Sequence, residues 1–239
     1  MERAFHLPGI FVLFCSFVLL FLVSVSLPFI DPLDYVRVYI YNGIVTTTAN
    51  GTAISEIRFG LWANCRYEIV SGHRVCSSAA DGYTTTLYTN GGASEVTVGS
   101  SWTRGLVAHP IATGVSLLAL LLSFFTHPTI TFLTYVLAFL AFLIALVAFF
   151  ADVALYAYVQ RQIRLLPDVS AGTRVEAAFI MTIVAVVLLF LAGFSIWLGR
   201  RRARMAGATS YKMPSNRVRA PRRVWNWRRP WRGRTRARA

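Results

Sequence analysis

Charge is scarce along most of this 239-residue chain, and the last forty positions hold no Asp or Glu at all. Charged residues make up 14% of the sequence, against 56% hydrophobic ones. Of the 24 Lys and Arg, 15 fall between Arg200 and Arg238. The other nine share the first 199 residues with all ten acidic residues, for a net of −1. The overall charge of +14 therefore belongs to the tail, which excludes a basic globular fold as its source. Also missing are a serine, cysteine or carboxylate set with a neighbouring base, a nucleotide-binding loop and a complete metal-ligand set. No enzyme and no cofactor are expected on that ground. Cysteine is nearly absent, with three in the chain.

What is present instead is apolar sequence without an amphipathic period. Whole stretches are apolar on every face, which makes lipid their solvent. Four of them, 7–27, 106–125, 130–150 and 175–198, reach the roughly 20 residues that a spanning helix needs. The first has a rival reading as a cleavable signal peptide, because Ser24, Val25 and Ser26 offer a cleavage site. Its apolar run exceeds the usual span of about 7–15 residues, which favours a retained helix. The third pattern can continue as a helix to Tyr158.

The positive-inside rule places the cluster Arg200, Arg201, Arg202 and Arg204, which abuts the fourth stretch, in the cytosol. Four crossings then return the N-terminus to the cytosol and put the long loop, 28–105, and the short loop, 159–174, on the exoplasmic side. The expected fold is a mainly α membrane protein. Residues 1–200 form a four-transmembrane-helix bundle with a small antiparallel β-sheet in the first exoplasmic loop, and 201–239 form a disordered basic tail.

Strand patterns fill the long loop. Residues 35–41 alternate, with Val36, Val38 and Ile40 on one face, and Asn42-Gly43 before 44–48 signals a hairpin. Further strand-like pieces lie at 56–59, 67–70 and 84–89, while Gly91-Gly92 and the Ser/Thr-rich stretch up to Trp102 read as a loose return to the membrane. The sharpest run is Gly60-Leu61-Trp62, followed by Cys65 and, eleven residues later, Cys76. Two nearby cysteines outside the membrane are expected to oxidise, and Ser71-Gly72 between them suits a hairpin turn. Such a bridge contributes about 2–3 kcal/mol. A zinc site from Cys65, His73 and Cys76 lacks a fourth ligand. Asn50-Gly51-Thr52 is an N-glycosylation acceptor on the outer side; an unused tight turn is the alternative.

In the tail, Trp225, Trp227 and Trp231 interleave with Arg222, Arg223, Arg228, Arg229 and Arg232. Juxtamembrane arginines are drawn to anionic lipid by about 1 kcal/mol each, and Trp favours the headgroup level. The expected partner is the anionic inner leaflet, with plain enforcement of topology as the alternative; tethering to a membrane removes the context for nucleic acid. Within the bilayer the sequence reads as quiet. Asp152 is expected to be wetted at the outer end of the third helix or paired with an arginine of the short loop, and the histidines, His109 among them, to be interfacial. Ala178, Thr182 and Ala185, with Gly114 and Ser116, are expected at helix contacts.

Gly60-Leu61-Trp62 with Cys65 and Cys76, in the first outer loop of a four-span chain, resembles the claudin-type tetraspan signature. Within that group the sequence is most similar to the fungal Sur/PalI family, over about its first 200 residues. Claudins carry a further Trp earlier in the loop; none precedes Trp62 here, which argues against a tight-junction protein. The short length and arginine-rich tail fit the PalI branch. That resemblance implies a plasma-membrane protein beside a multi-span sensor in ambient (alkaline) pH signalling, found at growing tips and division sites. The Sur branch implies instead a structural component of eisosome-type cortical domains, tied to cell-wall integrity and endocytosis. The expected partner is another multi-span membrane protein, and a homo-oligomer is compatible with the sequence.

Overall fold

The computed structural model describes residues 3–48, 51–89, 92, 94–125 and 127–209. Three helices are long and apolar enough to cross a membrane, over Ser100–Ser123, Thr129–Ile163 and Ala177–Leu198, and a shorter apolar helix covers Pro8–Ser24. In chain order the elements are α1 (Arg3–Ser24), seven strands, β1 (Val36–Asn42), β2 (Val45–Thr46), β3 (Ile54–Phe59), β4 (Asn64–Glu68), β5 (Arg74–Cys76), β6 (Thr85–Thr89) and β7 (Ser94–Val98), then a short α2 (Ser100–Thr103) that runs through a 3-10 turn (Arg104–Val107) into α3 (Ala108–Ser123). The chain ends with α4 (Pro128–Ile163), β8 (Ser170–Val175) and α5 (Ala177–Thr209).

Pro128 opens α4, where its missing N–H costs nothing, after an extended His127. The helix then runs for 36 residues, about 54 Å against a hydrocarbon layer of about 30 Å. It extends past both 150 and Tyr158 because Leu155, Val159 and Ile163, at helical spacing, bury against the outer sheets. α5 likewise continues beyond 198, carrying the first tail residues to Thr209 as helix.

Two antiparallel sheets, not one, sit at one end of the helices. The first has the order β5-β4-β3-β1-β8 and the second β2-β6-β7. Two sequence expectations are corrected here. Asn42-Gly43 does form a turn, with Gly43 N–H donating to Asn42 Oδ1 at 2.9 Å, but β1 does not pair with β2. Both edges of β1 are taken, by β3 and by β8, so the turn passes the chain to the second sheet, where Val45 and Thr46 pair with Thr89 and Tyr88. The stretch before Trp102 is also no loose return: Ser94–Val98 pairs along the full length of β6, with Val96 and Val98 turned inward.

The segment between α4 and α5 contributes β8, which was expected as loop. Ser170–Val175 is weak in β-formers, and it lies at the sheet edge, where none of its residues is buried and backbone pairing to Val36–Asn42 defines it. Its far end is tied in as well. Glu176 N–H donates to Tyr35 O and Ala178 N–H to Asp34 O, both at 3.2 Å. Arg37 holds buried Asp34 with two bonds of 2.8 and 2.9 Å and reaches Glu176 at 3.6 Å. That bonding to Asp34 raises the Arg37 pKa further.

Apolar side chains form two cores. At the sheet end, Tyr35, Ile54, Ile57, Phe59 and Leu87 pack on Leu106, Leu155 and Val159. Between the helices, Ala112, Ala119, Ala138, Ala141, Ala145, Ala185 and Ala192 meet Leu13, Leu20 and Leu189. Ala178, Thr182 and Ala185 are fully buried, and so is Ser116. Gly114 departs from expectation: it is exposed, and a side chain there would meet nothing within 4 Å.

Candidate functional site

The segment that joins β3 to β4 docks onto the C-terminal end of α1. A Cβ on Gly60 would collide with Leu27, so only glycine admits this approach. Leu61 N–H donates to Ser26 Oγ at 3.0 Å, and Leu61 itself is buried. Half-buried Trp62 donates from Nε1 to Ser24 O at 2.9 Å, supplying a donor to one of the carbonyls a helix end leaves without an intrahelical partner. The Tyr83 hydroxyl donates to Gly60 O at 2.8 Å, and burial holds its phenol well above the usual range. Gly60-Leu61-Trp62 is thus a clamp between sheet and helix.

One strand further on, Cys65 and Cys76 face each other across the β4–β5 register and are joined by a disulfide. The turn between them places Gly72 at φ 65°, the left-handed region that suits glycine. Below it, Ser71 and Thr52 donate to Glu68 and lower its pKa. Asn64 donates to Thr85, bonding the first sheet to the second. The second sheet rests on the projecting end of α4: Trp102 stacks on Tyr158 at 4.3 Å, and the Tyr158 hydroxyl donates to Thr97 O.

Beneath the clamp lies a polar cluster that the sequence reading missed. His109 of α3, Asp152 of α4 and Thr182 of α5 are all fully buried, which corrects the expectation of an interfacial His109 and a wetted or arginine-paired Asp152. Asp152 continues the buried face of α4 set by Ala141, Ala145 and Ala148 at spacings of three and four, so helix periodicity turns it inward. His109 Nε2 is 3.3 Å from Asp152 Oδ2 and 3.3 Å from Thr182 Oγ1. Its Nδ1 lies 2.9 Å from Leu106 O, an acceptor, and so must carry a proton. The Thr182 hydroxyl donates to Ala178 O at 3.0 Å. His109 Nε2 therefore sits between the Thr182 hydroxyl, which can accept from it, and the Asp152 carboxylate. Neither oxygen of the Asp152 carboxylate has a hydrogen-bond partner among the described residues.

The cluster connects to the clamp. Thr113 of α3 lies 2.8 Å from Ser24 Oγ, whose backbone carbonyl receives Trp62. Tyr35 sets its ring edge-on to His109 at 5.1 Å, and burial, then the Asp152 charge, push its phenol upward. An acidic residue ending a long charge-free apolar run was the available signal, since such a residue calls for a named partner. The sheets, the clamp and the disulfide hairpin compose a platform fixed to one end of a bundle of apolar helices. The SUR7/PalI family model matches residues 5–195.

The chain belongs to the SUR7/PalI family. It is accordingly a multi-pass membrane protein, mainly helical with small antiparallel sheets. No curated protein matches it. In this family member the disulfide uses both cysteines of the zinc alternative, and no group of three His, Cys, Asp or Glu is placed to hold a metal among the described residues. Arg201 lies over the Trp197 ring at 5.5 Å. Arg200, Arg202 and Arg204 continue the α5 backbone. Asn50, Arg222, Arg223, Trp225, Trp227, Arg228, Arg229, Trp231 and Arg232 lie outside the described residues.

Proposed function

We propose that the protein is a non-enzymatic accessory or scaffold of the plasma membrane that assists a multi-span sensor in ambient alkaline pH signalling. Four helices cross the bilayer in this reading, with both termini cytosolic. Burial of Leu13, Leu20 and Val23 against the other helices supports a retained α1, since cleavage would strip the face they cover. The observation that carries the reading is the outer platform, built from both outer segments and bonded to α1 through Trp62 and the Tyr35 hydroxyl. A partner gripping the platform is thereby coupled to the bundle. The platform offers apolar contact in Ile69 and Val70, 56% and 90% exposed beside the Ser71-Gly72 turn. On the inner side, Trp225, Trp227, Trp231 and the tail arginines associate with anionic lipid.

The alternative, a structural component of eisosome-type cortical domains, draws on the other branch of the family. A paired measurement separates them. Deleting the gene should abolish growth at alkaline pH with cortical patches intact, and the tagged protein should co-purify a multi-span membrane protein. Static cortical puncta with normal alkaline growth would overturn the sensor role in favour of the alternative.

A further inference from the structure

In the half of the bundle away from the sheets, α4 and α5 leave an outward-facing groove of about 230 Å³. Phe139 and Phe142 of α4 form one wall, and Phe190, Phe194 and Trp197 of α5 the other. The aromatic rings run as a ladder: Phe142 to Phe190 at 5.5 Å, Phe190 to Phe194 at 6.2 Å and Phe194 to Trp197 at 5.8 Å. The floor is Gly193. It is buried, yet a Cβ built there would meet nothing within 4 Å, so the space above it is empty rather than filled by a neighbour.

The occupant follows from the rim and from the end. Helices pack closely in lipid through small residues that let backbones approach. Phe139, Phe190 and Phe194 stand about half exposed on the rim and hold a second helix off, whereas a single hydrocarbon chain is thin enough to lie between them. One turn beyond Trp197, Arg201 sets its guanidinium over the indole. The stretch from Arg200 to Arg238 holds no Asp or Glu, so this end of α5 is strongly basic. Guanidinium is suited to paired hydrogen bonds with phosphate. We infer that this groove binds one acyl chain of an anionic phospholipid, with the headgroup phosphate at Arg201. The inference rests on the cytosolic placement of the arginine end; it is separate from the diffuse attraction of the tail, because it fixes one lipid at one place.

The test is native mass spectrometry of the full-length protein extracted from nanodiscs of equal phosphatidylserine and phosphatidylcholine. One retained phosphatidylserine is expected, preferred by about fivefold, the factor of one arginine beside anionic headgroups. Gly193→Leu fills the void and should abolish retention at an unchanged melting temperature. Phe194→Ala, which removes a wall without adding volume, should lower retention independently of how Gly193→Leu folds. Arg201→Gln should keep a lipid but bring the two lipids near parity. Retention of phosphatidylserine by Gly193→Leu at the unsubstituted level, equal retention of phosphatidylcholine, or a sterol or second copy in its place would each overturn the groove. Replacing Arg222, Arg223, Arg228, Arg229 and Arg232 with Gln distinguishes the two lipid readings. If that variant alone loses the lipid, the tail binds and the groove does not; if it loses only adhesion to phosphatidylserine vesicles, the groove stands by itself.

Discussion

The core at the sheet end is filled by Tyr35, Phe59, Ile54, Ile57 and Leu87, while the core between the helices is filled largely by Ala112, Ala138, Ala141, Ala145, Ala185 and Ala192. Each matches its solvent. In water, burying a large side chain is favourable in proportion to its apolar area, so the outer core is built of large residues. In lipid that gain vanishes, and contact depends on how closely backbones approach, which favours alanine. Between the two lies a seam of His109, Asp152, Thr182, Thr113 and Ser24, where three helices and α1 exchange polar contacts. The seam lets a water-facing platform and a lipid-facing bundle behave as one body.

The largest break should come there. Asp152→Ala leaves His109 buried without its acidic partner, and removing one member of a buried pair costs about 3–5 kcal/mol. The expected outcome is a steep fall in the melting temperature of the detergent-solubilised protein, partly restored when His109→Leu is added. A double variant no better than Asp152→Ala alone would show that the two residues act separately. Next in size is the outer core. Cys65→Ser and Cys76→Ser should each cost about 2–3 kcal/mol, and the double variant should be no worse than either. Additive losses in melting temperature would contradict a shared bridge.

The inner core is broken by the opposite change. Ala141→Leu adds volume where α4 meets its neighbours with no exposed surface to yield, and overpacking costs about 1–3 kcal/mol. Thermal unfolding in nanodiscs reads the loss. A neutral Ala141→Leu would mean that the helices part easily, and that the alanine face does not set their spacing.

How much of this was legible follows the range of each interaction. Val36 and Val38 announce a buried strand face by alternation, and Ser71-Gly72 sets up the Cys65–Cys76 hairpin locally. The helices show in composition alone. β8 does not, because an edge strand defined by backbone pairing needs no side-chain pattern, and its partner β1 lies more than a hundred residues earlier. The Asn42-Gly43 turn misled for a related reason: the local signal was real, but β3 and the distant β8 already occupied both edges of β1. Asp152 was half legible. The spacing from Ala141, Ala145 and Ala148 points it inward, but nothing in one sequence says that His109 and Thr182 meet it there.

The smallest predicted effect tests whether the clamp works through its hydrogen bond or its ring. Trp62→Phe keeps an aromatic ring beside the end of α1 but removes the Nε1–H that reaches Ser24 O. A single neutral hydrogen bond is worth about 1 kcal/mol net, so the melting temperature should fall only slightly. Trp62→Ala should cost more, since it also removes the ring packed against the outer core. Ser24 is where clamp and seam join, its carbonyl receiving Trp62 while its hydroxyl meets Thr113. Losing the Nε1–H should therefore raise hydrogen exchange at the last turn of α1 and leave the Ala141 region protected. Equal exchange in both regions would mean that the platform and the bundle are not joined at Trp62, and the seam alone would then hold them together.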